Sequence, residues 1–186
     1  MRNKLALIGK DISHSKSPVV YTDILKIDAD YVLLDYENGC DIPCLKSLLA
    51  TFSGISVTAP YKRYIYELCD EIHSSAEKVK AVNCFYMEDA KVVGANTDLL
   101  ALEVLLKDYR SYDNHYILGN GAMADVISYI LKKKSVRYKQ FARSLGHNLS
   151  TLSFESVDKL IIYNCCAREF IFDTKLKEST TFFDLN

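Results

Sequence analysis

Short apolar runs alternate with amphipathic stretches along this chain, and that alternation limits the possible folds more than any single motif. "LALIG" (5–9) reads as a strand, Pro18 to Ile27 as a helix opened by proline, and "YVLLDY" (31–36) as a second strand. "DIPCLKSLLATF" has helical apolar spacing and is followed by the strand "GISVTA" and a helix after Pro60. Strands alternating with helices favour a parallel sheet, the α/β class. The pattern breaks once, in "NCFYMEDAKVVGANTD", where two strand-like runs flank Glu88-Asp89-Ala90 and predict a hairpin. Next, "TDLLALEVLLKDY" spaces Leu99, Leu102, Leu105, Leu106 and Tyr109 as one helical face, with Thr97 or Asp98 able to cap its first turn.

Alternation then restarts. "HYILGNGAMADVISYILKKK" reads as strand, glycine-containing turn and helix, "VRYKQFARS" and "KLIIYN" as strands, and "TFFDLN" as the start of one more. We place a boundary near residue 101, giving an open α/β domain over 1–101 and a Rossmann-like domain over 102–186. The second is expected to be incomplete at its C-terminus, because a doubly wound nucleotide domain has two βαβαβ halves.

Composition narrows the function classes. A chain of 186 residues, 49% hydrophobic and 25% charged, is globular in composition. A net charge of −1 offers nothing to a polyanion, and Lys132, Lys133 and Lys134 read as the solvated last turn of a helix, so no nucleic-acid partner is expected. No apolar run approaches the roughly 18 residues of a membrane span, and the apolar core of "MRNKLALIGK" is too short for a signal peptide. The expected compartment is the cytoplasm, with no membrane partner. The six cysteines contain no C-x-x-C pair, and His14, His73, His115 and His147 lack the i, i+4 spacing of a helical metal site, so neither disulfides nor a metal are expected.

Two features remain unexplained by folding alone. Lys62 falls on the first turn of the helix after Pro60, where the unpaired amides favour anions over cations. Ser15 and Ser17 stand either side of Lys16 before Pro18; capping by Ser17 accounts for one serine and not for two, and two hydroxyls near a helix start suit a carboxylate. In the second half, Gly119 and Gly121 fit the first two positions of G-x-G-x-x-G/A and Ala124 the third. The next strand runs into Arg143 and Ser144, which suit a ribose 2′-phosphate, where an acidic residue would have met the 2′-hydroxyl.

The ordered set "HSKSP", "VTAPYK", "AVN", "GANTD", "LGNGA", "ARS" and "IIYN" resembles the shikimate dehydrogenases over nearly the whole chain. The resemblance implies an NADP-dependent oxidoreductase that interconverts 3-dehydroshikimate and shikimate, a step towards chorismate and the aromatic amino acids. It implies that Ser15 and Ser17 hold the substrate carboxylate, that Thr58, Asn83 and Asp98 address the ring hydroxyls, and that Lys62 and Asp98 are the catalytic pair. Gly119, Asn120, Gly121, Ala122, Met123, Ala124, Arg143 and Ser144 are implied to bind NADP. The paired serines favour shikimate over quinate, and a homodimer is compatible with the resemblance.

Departures from the family pattern are Ser56 in place of the usual asparagine, Asn120 and Ala122 in a turn that is usually richer in glycine, and Cys165 and Cys166 after Asn164. Arg168 falls where the family chain turns over the nucleotide site, and it is assigned no role. Family members also continue well beyond "FFDLN". The alternative expectation is therefore a truncated, non-catalytic remnant that keeps at most shikimate or nucleotide binding.

Overall fold

The computed structural model describes residues 3–107, 109, 112–154, 156–167 and 170–185, so Arg168 lies outside the described residues. The chain divides into two compact units, Met1–Thr97 and Asp98–Asn186.

The first unit is a six-stranded sheet in the order β2-β1-β3-β5-β6-β4. Its strands are β1 (Asn3–Gly9), β2 (Ala29–Asp35), β3 (Gly54–Val57), β4 (Glu71–Ile72), β5 (Cys84–Glu88) and β6 (Lys91–Ala95). β1 is parallel to both β2 and β3, with Leu7 opposite Leu33 on one side and Ser56 on the other. Among the described residues, the hairpin expected around Glu88-Asp89-Ala90 is the one departure from parallel pairing. β5 enters antiparallel to β3 and pairs antiparallel with β6, because a hairpin cannot present both of its strands parallel to the same neighbour. Asp89 and Ala90 take φ of 46° and 61°, the positive values a two-residue hairpin turn needs at both centres.

Helices of this unit are short: α1 (Ser17–Val19), α2 (Leu45–Leu49), α3 (Lys62–Leu68) and α4 (Ser74–Glu77). The helix expected over Pro18 to Ile27 is α-helical only in α1 and continues as a π-helical turn, Val20–Ile24. Ile24 and Leu25 stay 68% and 57% exposed: Val20, Ile24 and Ile27 keep the i, i+4, i+7 spacing of an α-helical face, but the π-helical winding, with the Leu25 N–H on the Val20 carbonyl, departs from the 3.6-residue period and the turn buries none of its residues. The core lies under α2 and α3 and is built from Ile8, Ile55, Val57, Ile65, Val82 and Phe85.

In the second unit the sheet order is β10-β9-β7-β8, all parallel, formed by β7 (Asn114–Leu118), β8 (Tyr138–Phe141), β9 (Leu160–Asn164) and β10 (Thr181–Asp184). Every residue of β9 is buried, as befits a strand between two parallel neighbours. α5 (Thr97–Leu105) buries Leu99 and Leu102, while Leu105, expected inside, is 48% exposed and Leu106 turns inward beyond the helix end. α6 (Ala122–Lys133) packs Ala124, Val126, Ile127, Ile130 and Leu131 inward, and its last turn carries Lys132 and Lys133.

His115 on β7 is buried beside Tyr163 of β9. Its Nδ1 lies 3.0 Å from the Tyr163 hydroxyl and its Nε2 lies 3.2 Å from the Tyr112 carbonyl, so the neutral ring with the proton on Nε2 satisfies both partners. Burial holds its pKa below the ordinary histidine value, and the Tyr112 carbonyl pulls it part of the way back.

Candidate active site

In the first unit three strand ends meet on one edge of the sheet. The loop after β1 is moored by Asp35, whose carboxylate accepts the N–H groups of Asp11 and Ile12 at 2.9 Å each. Gly9 stands at the tightest point: a Cβ there would come within 2.5 Å of Thr58 Cγ2 and would also collide with Ile12. A side chain at position 9 would push the loop off the end of β3. The loop then delivers Ser15 and Ser17 together, their hydroxyl oxygens 3.2 Å apart, with the Ser17 N–H donating to Ser15 Oγ at 3.2 Å. Ser17 is not the helix cap expected from sequence; Lys16 takes that position without a side-chain bond. Ser15 thus takes up the first amide of α1, and the Ser17 hydroxyl makes no capping bond.

Beyond β3 the chain passes Thr58 and a cis Ala59–Pro60 bond into α3. Tyr61 is buried, with its hydroxyl donating to the Tyr36 carbonyl at 2.6 Å, and it anchors the helix start that carries Lys62. The Lys62 carbonyl accepts the Val82 N–H at 2.9 Å, and the Asn83 carbonyl accepts the Val57 N–H at 2.7 Å. These bonds bring Thr58, Lys62 and Asn83 to the edge from which the serine loop springs. The Asn83 carboxamide holds Thr97, accepting its N–H at 2.8 Å and donating to its Oγ1 at 2.9 Å. Lys62 and Asn83 belong to the first unit, and Asp98 is the first residue of the second.

Tyr31 was not singled out from the sequence. It projects from the same face of the sheet as Ser56, its ring packs 5.0 Å from that of Tyr21, and its buried hydroxyl makes no well-formed hydrogen bond among the described residues. The hydroxyls of Ser17 and Ser56 lie close enough to act on it; burial raises its pKa and they draw it back. A tyrosine in an apolar strand carries no sequence signal for this placement.

In the second unit the glycine turn links β7 to α6. Gly119 has φ of +105°, and a Cβ on it would lie 2.5 Å from the Cys165 carbonyl oxygen. Gly121 caps α6 with φ of −91° and no side-chain hydrogen bond, and a Cβ on it would meet nothing within 4 Å. The first glycine is thus required by the fold, and the second leaves open space beside the start of α6, room suited to a phosphate. Asn120 Nδ2 donates to Ser144 Oγ at 3.1 Å, joining two of the residues implied by the sequence. Arg143 and Ser144 sit in a short 3-10 turn, Arg143–Leu145, just past β8. Burial raises the Cys166 thiol pKa, and the Arg143 guanidinium is close enough to pull it back. Among the described residues no cluster of histidine, cysteine or acidic side chains could hold a metal, and no helix is long and apolar enough to cross a membrane.

Residues 7–85 match the family model of the shikimate dehydrogenase substrate-binding domain. The shikimate dehydrogenase (NADP(+)) of Clostridium beijerinckii is 38% identical over 133 residues, which cover 67% of this chain and 49% of that protein. That of Bacillus mycoides is 31% identical over 180 residues, covering 91% of this chain and 65% of the relative. The chain spans about half the length of the first curated relatives it matches. The crystal structure of shikimate dehydrogenase from Aquifex aeolicus superposes with a TM-score of 0.72 at 24% identity, covering 89% of this chain and 69% of that one. The Thermus thermophilus enzyme, solved in complex with NADP(H) and shikimate, gives 0.70 at 20% identity, with 88% and 68% covered. These two structures share the fold, an N-terminal α/β unit followed by a Rossmann-like one. With the substrate-domain match lying on the strand ends that carry Ser15, Ser17, Thr58, Lys62 and Asn83, the chain belongs to the shikimate dehydrogenase family.

Proposed function

We propose that this chain interconverts shikimate and 3-dehydroshikimate, with NADP as hydride carrier. The observation that carries the reading is the convergence of Ser15, Ser17, Thr58, Lys62 and Asn83 on one sheet edge, within the segment that matches the substrate-binding domain. Ser15 and Ser17 present two hydroxyl donors to the substrate carboxylate, and Thr58, Asn83 and Asp98 address the ring hydroxyls. Two protons and two lone pairs let the Asn83 carboxamide hold Thr97 and still reach a ligand. Lys62 holds the oxygen of the reacting carbon, and the hydroxyl proton leaves through Lys62 and Asp98 as the carbon is oxidised.

The glycine turn fits NADP: it has open space at Gly121, the start of α6 beside it, and Arg143 with Ser144 past the neighbouring strand. Gly119, Asn120, Gly121, Ala122, Met123 and Ala124 supply the turn and first helical residues. NADP, when bound, accepts the hydride from the ring carbon or returns it. The cytoplasm is the compartment we assign, in keeping with six free thiols.

The test is formation of reduced nicotinamide from shikimate and NADP by purified protein, with Lys62→Ala as its partner. We expect Lys62→Ala to lose roughly a hundredfold or more in turnover while keeping its melting temperature and NADP affinity. Equal turnover in Lys62→Ala removes the lysine from the mechanism. Shikimate binding by folded wild-type protein without any turnover would replace the enzyme with a binding protein.

A further inference from the structure

Asn120 stands between the two turn glycines, a position whose backbone alone suffices to shape a phosphate-binding turn. Here its side chain is engaged at both ends. Nδ2 donates to Ser144 Oγ at 3.1 Å, and Oδ1 accepts from Gln140 Nε2 at 3.2 Å. The same Gln140 nitrogen donates to the Gly119 carbonyl at 2.9 Å. Three side chains therefore tie the turn to the last residues of β8 and the short helix after it. Asn120 and Ser144 are both exposed, so these bonds are not there to satisfy buried groups.

A serine hydroxyl has one proton and two lone pairs. With the Asn120 amide filling one lone pair, the Ser144 proton is turned away from Asn120, and the hydroxyl is left as a donor to an incoming acceptor. The neighbouring Arg143 is exposed and always charged. Donor and cation side by side are the chemistry of a phosphomonoester site.

We propose that Asn120 is a positioning residue for cofactor selectivity: it orients the Ser144 hydroxyl, beside Arg143, towards a phosphate on the ribose 2′-oxygen, and Gln140 holds Asn120 in place. Preference for the phosphorylated dinucleotide then passes through a side chain that does not touch the phosphate. The proposal rests on the reading of this turn as the cofactor site.

The experiment is calorimetric titration of the full chain with NADP and with NAD, for wild type, Asn120→Ala, Ser144→Ala and the double variant, alongside thermal melts. Asn120→Ala should weaken NADP roughly five- to tenfold, the loss of about one directed hydrogen bond, and leave NAD within about twofold. Ser144→Ala should do the same, and the double variant should be no worse than either single one, because both remove one device. An equal loss for NADP and NAD in Asn120→Ala overturns the proposal and makes the residue part of the turn's framework. Unchanged NADP affinity, or additive losses in the double variant, overturns it as well. Wild-type protein that binds both dinucleotides alike removes the selectivity and leaves the cofactor site standing. If it binds neither, the reading of the turn falls and takes this inference with it.

Discussion

Gly119 and Gly121 occupy one turn for opposite reasons, and substituting each by alanine separates fold from function. At Gly119 a Cβ would lie 2.5 Å from the Cys165 carbonyl oxygen, 2.7 Å from its carbon and 3.0 Å from Cys166 N. That backbone cannot easily yield. The Cys165 N–H donates to the Leu118 carbonyl at 2.8 Å, and the Cys166 N–H donates to Asn164 Oδ1 at 3.2 Å. The φ of +105° adds a conformational penalty of about 1–3 kcal/mol for any L side chain. Displacing the end of β9 adds an overpacking cost of about 1–3 kcal/mol. Gly119→Ala should therefore lose about 2–6 kcal/mol, a large part of the roughly 5–15 kcal/mol that holds a domain folded. Gly121→Ala meets nothing, has an ordinary φ of −91° and should melt like wild type. Its new methyl group projects into the space read as the phosphate site, so NADP affinity should fall at least about tenfold. Urea melts followed by fluorescence, together with titration of NADP, measure both. A Gly121→Ala protein that binds NADP as wild type does would refute the assignment of that space, and a Gly119→Ala protein of wild-type stability would refute the steric argument.

Two further perturbations test the reading of buried polar groups. Because burial lowers the folded pKa of His115, the unfolded chain binds the proton more readily. Its contribution to stability is complete above about pH 6.5 and is lost as the pH falls below that value towards and through the folded pKa, at no more than about 1.4 kcal/mol per pH unit. A plot of unfolding free energy against pH should lose this component in His115→Gln; an unchanged slope between wild type and variant would remove it. Tyr31→Phe deletes a buried hydroxyl that makes no well-formed hydrogen bond among the described residues, so stability should hold or rise by up to about 1 kcal/mol. A fall of more than about 1 kcal/mol in a denaturant melt would show that the hydroxyl is satisfied in solution.

Much of the scaffold could be read in the sequence because strands advertise themselves by short apolar runs, as "LALIG" and "KLIIYN" do, and because Glu88-Asp89-Ala90 punctuates a hairpin. What could not be read depends on tertiary pairing. Nothing local to residues 84–88 says that β5 docks antiparallel on β3, and Glu71–Ile72 is too short to register as a strand. The residues from Pro18 to Ile27 read as a helix, with Val20, Ile24 and Ile27 at helical spacing, yet the segment winds as a π-helical turn and that face stays outside, which no local spacing signals. At the site, the pairing of Ser15 with Ser17 and of Asn120 with Ser144 joins residues that motif order alone had named. The part played by Gln140 was hidden because a glutamine in a strand looks like any solvated residue until the turn beside it is built.

The all-buried strand β9 also sets a schedule for biosynthesis. On one side it pairs with β7, which has already been made, and on the other with β10, which begins 17 positions after β9 ends, from Asn164 to Thr181. At roughly 5–20 residues per second, the ribosome leaves "LIIYN" with one bare edge for about 1–3 s. An apolar, β-branched segment with an open edge is where nascent chains associate. The charged residues Asp158 and Lys159 stand directly before it, where flanking charges discourage such association. Replacing both charges would remove two exposed ion pairs, to Lys177 and Asp113, worth at most about 1 kcal/mol each, and should show its larger effect in the yield of soluble protein, a cost incurred during synthesis.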